Sequence, residues 1–66
     1  MPHIQITLLK GRTIEQKRRA VKRITEVMQE ELDVKTEALS IAFVEVARED
    51  YARNGALIAD RTDPAI

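Results

Sequence analysis

The chain has 66 residues, no cysteine, 11 basic and 11 acidic side chains, and therefore zero formal net charge. That leaves room for one domain, 1–66, and excludes any disulfide; one histidine without cysteine makes no zinc-knuckle set. Balanced charge argues against a nucleic-acid partner, and no apolar run approaches the length of a membrane span.

No secretory leader is expected, because His3, Gln5 and Thr7 interrupt the apolar opening, so the expected location is the cytoplasm. So short a chain barely offsets the entropy of its own ordering. Without disulfides or metal it is expected to fold as part of an oligomer.

Residues 2–9 alternate, with Ile4, Ile6 and Leu8 on one face and His3, Gln5 and Thr7 on the other. That is a strand period, broken by Lys10-Gly11. Thr13 and Gln16 stand at capping-box spacing, so a helix begins after Thr13. Ile14, Val21, Ile24, Val27, Met28 and Leu32 form one apolar stripe along it, over about 14–32. Its first half is basic (Lys17, Arg18, Arg19, Lys22, Arg23) and its second acidic (Glu26, Glu30, Glu31, Asp33). This order opposes the helix dipole. Two such helices packed antiparallel would set basic halves beside acidic ones.

Lys35 to Ala38 read as a turn, and 39–46 as a second strand with apolar residues on both faces. One helix covers one face only, so the other needs a second sheet or another subunit. Strand, helix crossover and strand make a βαβ unit with a parallel pair. In the tail, Asn54-Gly55 signals a hairpin between Tyr51 and Leu57-Ile58-Ala59. Arg61 to Ile66 read as a loose end.

Few residues can carry chemistry. Pro2 follows the initiator Met. Removal of Met1 would expose a secondary amine, whose unperturbed class titrates near about 7.7–8.0. Burial and nearby cations lower that value toward what a general base needs. With Met1 retained, the Pro2 nitrogen is an amide and no base. Arg12 stands beside the helix start, where it could grip a carboxylate with both prongs. Tyr51, in a polar stretch, is suited to line a cleft or interface. His3 reads as a surface or interface residue, and Glu45 as a strand-end acid paired with a cation.

Together these residues resemble one family. MPHIQITLLKGRTIEQK and SIAFVEVAREDYARNG are similar to the corresponding stretches of the 4-oxalocrotonate tautomerases, and the resemblance runs over 2–60 without a gap. It implies an α/β protomer, a short β-α-β unit with a C-terminal hairpin. Two protomers would join into a four-stranded dimer, and three dimers into a hexamer. It implies a cofactor-independent isomerase that shifts a proton between keto and enol forms of a small carboxylate, as in aromatic degradation. Pro2 matches the family's general base and Arg12 its carboxylate anchor. Leu9 and Tyr51 match residues lining the pocket, which lies between subunits.

One departure stands out. Members acting on diacids carry a second arginine at the start of strand two, where this chain has Ser40. Serine donates a hydrogen bond but neutralises no charge. Arg48, Arg53 or Arg61 could substitute, and Arg53 adds a bulky cation where the family has small residues. Two other readings remain open on these residues. One is hydration or dehalogenation on the same scaffold, with Glu45 or Glu49 activating water; the other is a non-catalytic oligomer.

Overall fold

The computed structural model describes residues 1–61. The loose end expected at the C-terminus falls largely on residues 62–66, outside the described residues. Strand β1 (His3–Leu9) runs into helix α1 (Ile14–Leu32), and a 3₁₀ turn at Thr36–Ala38 leads to strand β2 (Ser40–Val46). Two short strands, β3 (Ala52–Arg53) and β4 (Ala56–Leu57), then form a hairpin flanked by single 3₁₀ turns at Arg48–Asp50 and Ile58–Asp60. This is the β-α-β unit with a C-terminal hairpin that the sequence predicts.

β1 and β2 pair in parallel, with His3 opposite Ser40, Ile6 opposite Phe43 and Leu9 opposite Val46. Partners in register share a face, so Ile4, Ile6, Leu8, Ile41 and Phe43 turn toward α1. The opposite face carries Gln5, Thr7, Ala42 and Val44, with Val44 exposed.

α1 starts where the capping box requires. The Gln16 amide N–H donates to the Thr13 hydroxyl at 3.1 Å, and the Gln16 side chain accepts from the Thr13 N–H at 2.8 Å. It stops at Asp33, whose left-handed backbone (φ 53°) returns its N–H to the last helical turn. The apolar stripe is wider than the sheet can cover. Ala20, Val21, Ile24 and Met28 are half-buried, whereas Ile14, Val27 and Leu32 keep 64, 55 and 64% of their surface exposed.

Ile58 is the one fully buried side chain among the described residues, and it opens the 3₁₀ turn that follows the hairpin. The Cα radius of gyration is 14.9 Å. A compact chain of this length would have about 11 Å. The protomer is an open plate of helix on sheet with a plug at one end. Among the described residues no helix is long and apolar enough to cross a membrane.

Candidate active site

The chain reverses out of β1 through a glycine. The Lys10 N–H donates to the Val46 carbonyl at 3.0 Å and prolongs the ladder by one rung. Gly11 follows at φ 134°, where a side chain would be strained although no neighbour would meet it. Arg12 then emerges between this turn and the Thr13 cap.

The hairpin closes on the same end of the sheet. Asn54 and Gly55 both have positive φ, 56° and 80°, as a two-residue turn of the I′ type needs. The Ile58 N–H donates to the Tyr51 carbonyl at 2.8 Å. The Arg48 guanidinium donates to the Ile58 carbonyl at 3.0 Å and the Arg61 carbonyl at 3.3 Å. Buried Ile58 and these bonds make the hairpin a plug, and the plug holds Tyr51 against the end of β1. Between them opens a cleft of about 170 Å³, lined by Thr7, Leu8, Leu9, Arg12, Tyr51 and Arg53.

Three of the five site residues read from the sequence therefore meet here: Leu9, Arg12 and Tyr51. The other two lie at the far end of the sheet. The Ser40 N–H donates to the Pro2 carbonyl at 3.2 Å, and the Ser40 hydroxyl is hydrogen-bonded to His3 Nδ1 at 2.7 Å. At a strand rise of 3.3 Å per residue, the two ends of β1 are about 20 Å apart. Pro2 and Arg12 of one chain cannot touch the same small molecule. Met1 is joined to Pro2 and wholly exposed.

The other named residues also have definite places. Glu45 pairs with Lys17, as its strand-end position suggested, and the Lys17 ammonium lies 5.8 Å from the Phe43 ring centroid. Arg48 is committed to backbone carbonyls. Arg53 lines the cleft. A larger hollow, about 310 Å³, lies between α1 and the sheet, floored by Ile6, Leu8, Ala20 and Phe43 with Arg12 at its mouth. Its other polar members, Gln16 and Lys17, are bound to Thr13 and Glu45, so it is uncovered core rather than a second polar site.

Two features escaped the sequence reading. Thr7 and Leu8 reach the cleft from the edge of β1, and His3 is joined to Ser40. The second depends on register, which alternation alone does not specify. Among the described residues no group of three or more His, Cys, Asp or Glu could hold a metal.

The profile of the family described as tautomerase enzyme matches residues 2–61. This chain belongs to the tautomerase family. A 2-hydroxymuconate tautomerase of Bacillus subtilis is 33% identical over 60 residues, spanning 91% of this chain and 97% of that protein. A 4-oxalocrotonate tautomerase isozyme of Methylibium petroleiphilum is 43% identical, with TM-score 0.83 over 88% of this chain and 91% of that one. A heterohexameric 4-oxalocrotonate tautomerase of Chloroflexus aurantiacus matches at 25% identity and TM-score 0.83, over 91% of this chain and 97% of that one. The tautomerase described here is thus an isomerase, built from one β-α-β unit and a hairpin. Its cleft and Pro2 stand at opposite ends of that unit.

Proposed function

We propose that this tautomerase moves a proton between the enol and keto forms of a small unsaturated 2-hydroxy or 2-keto acid, without a cofactor. The observation that carries this reading is the Arg12 cleft. It joins a cation suited to a carboxylate with an apolar wall of Leu8, Leu9 and Tyr51.

In the proposed reaction Pro2, freed of Met1, acts as general base. Its secondary amine takes the proton from the 2-hydroxyl of the dienol. The electron pair forms the 2-keto group, and the double bond shifts along the chain. The proton returns from Pro2 to carbon, so atoms and charge balance with no redox partner. Arg12 holds the carboxylate and opposes the negative charge that develops beside it. The Tyr51 and Leu9 walls exclude water, which keeps the amine basic rather than protonated.

Such a site needs two copies, with Pro2 of one facing the cleft of another. A single fully buried side chain among the described residues and the exposed Ile14, Val27 and Leu32 support an assembly, and the family resemblance points to a hexamer of three dimers. Hydration or dehalogenation is less well supported. Glu45 is held by Lys17, and neither it nor Glu49 lines the Arg12 cleft.

The test is to assay ketonisation of 2-hydroxymuconate and phenylenolpyruvate after intact mass has shown Met1 to be absent. Pro2→Ala, or a form retaining Met1, should lose activity on both. Unchanged rates would refute the proposal.

A further inference from the structure

Arg12 and Arg53 reach one cleft from different parts of the chain. Arg12 comes from the turn after β1, and Arg53 from the last residue of β3. The hairpin fixes the backbone of Arg53. It pairs with Ala56 across the two-residue turn, and the hairpin behind it is locked by the Ile58–Tyr51 and Arg48 bonds. Among the described residues no carboxylate lines the cleft. Among the described residues the ion pairs are Lys17 with Glu45 and Arg18 with Glu15, so neither cleft arginine has an acidic partner.

Two guanidinium groups in one small cleft repel each other, and burial of an oppositely charged ligand relieves that repulsion. One carboxylate satisfies one planar fork. The second fork is left for a second anionic group. The rest of the lining includes Leu8, Leu9 and Tyr51, apolar surface suited to a short carbon chain. The cleft, about 170 Å³, is small beside drug-sized pockets of about 300–1,000 Å³.

We propose that Arg53 is a specificity-determining residue, which pairs with Arg12 to select an unsaturated dicarboxylate over a monocarboxylate. The charge that is missing at Ser40 is thereby supplied from the hairpin of the same chain that supplies Arg12. This inference rests on the reading of the Arg12 cleft as the substrate site.

The experiment compares the native chain with Arg53→Ala and Arg53→Lys on 2-hydroxymuconate and phenylenolpyruvate. Arg53→Ala should lower kcat/KM for the dicarboxylate about ten- to a hundred-fold more than for the monocarboxylate, as loss of a charge-assisted hydrogen bond implies. Most of the change should be in KM, and lysine should restore part of it. Equal losses on both acids, or no loss on either, would overturn the proposal.

Calorimetric binding of adipate and hexanoate to the same proteins separates this inference from the reaction itself. If the native chain turns over neither enol, the tautomerase reading fails. A preference for adipate that disappears in Arg53→Ala still supports the role of Arg53. Absence of that preference in the native chain overturns it.

Discussion

Pro2 and Arg12 flank β1 at opposite ends, separated by about 20 Å of extended backbone. No rotamer of either closes that distance. If both serve one reaction, they must come from different copies of the chain, and this can be measured. Arg12→Ala and Pro2→Ala should each be nearly inactive alone. Unfolded together and refolded as mixed assemblies, they should regain about one quarter of the native activity, since half the copies supply each intact residue. A mixture no more active than its components would mean that the site does not combine the two chains.

The role proposed for Pro2 predicts a large loss from a small change. General-base catalysis contributes about 10²–10⁴-fold, so Pro2→Ala should lower kcat by at least the smaller factor. KM should change much less, because carboxylate binding is assigned to Arg12. Steady-state kinetics on protein of verified N-terminal mass decides this, and a loss confined to KM would contradict the assignment.

Assembly should depend on the exposed side of α1. Val27, 55% exposed, lies beside half-buried Ile24 and Met28 in an apolar hollow of about 220 Å³. Val27→Asp should dissociate the assembly and, because the single chain has so little core, lower Tm sharply. Arg19→Glu with Lys22→Glu should weaken it through the charge-split helix. For the native chain Tm should rise with protein concentration, as folding linked to association requires. Sedimentation velocity across a salt series tests the electrostatic part. Association indifferent to both salt and charge reversal would remove the antiparallel-helix reading.

The hairpin turn should control the cleft from a distance. Gly55 has φ 80° and open space around it, so Gly55→Ala introduces no clash, only backbone strain of about 1–3 kcal/mol. Strain relieved by shifting the turn would displace Arg53 and Tyr51. The expected result is a raised KM with a modest fall in Tm. An unchanged KM would show that the turn and the cleft are not coupled.

Much of the fold was legible because its signals are local. Alternation in 2–9, the Thr13–Gln16 box and the Asn54-Gly55 pair each act within a few residues, and the structure contains all three. The family resemblance also named Leu9, Arg12 and Tyr51 as a group, and they meet in one cleft. Not legible was which helical residues the sheet would cover, since the stripe on α1 runs past the two strands available to it. Nor could the sequence rank Arg48, Arg53 and Arg61, three exposed-looking arginines in one polar stretch. Hydrogen bonds to carbonyls ten and thirteen residues away occupy Arg48, and the hairpin brings Arg53 to the cleft.

The 66 residues alone determined that this is a small β-α-β chain with a C-terminal hairpin, because period, capping and turn chemistry are properties of neighbouring residues. The tertiary structure decided how those residues are distributed. Parallel register sets His3 against Ser40 and leaves Pro2 beside them, while the plug around Ile58 carries Tyr51 and Arg53 to the other end. Those relationships depend on contacts between residues far apart in the chain. Only packing makes such contacts.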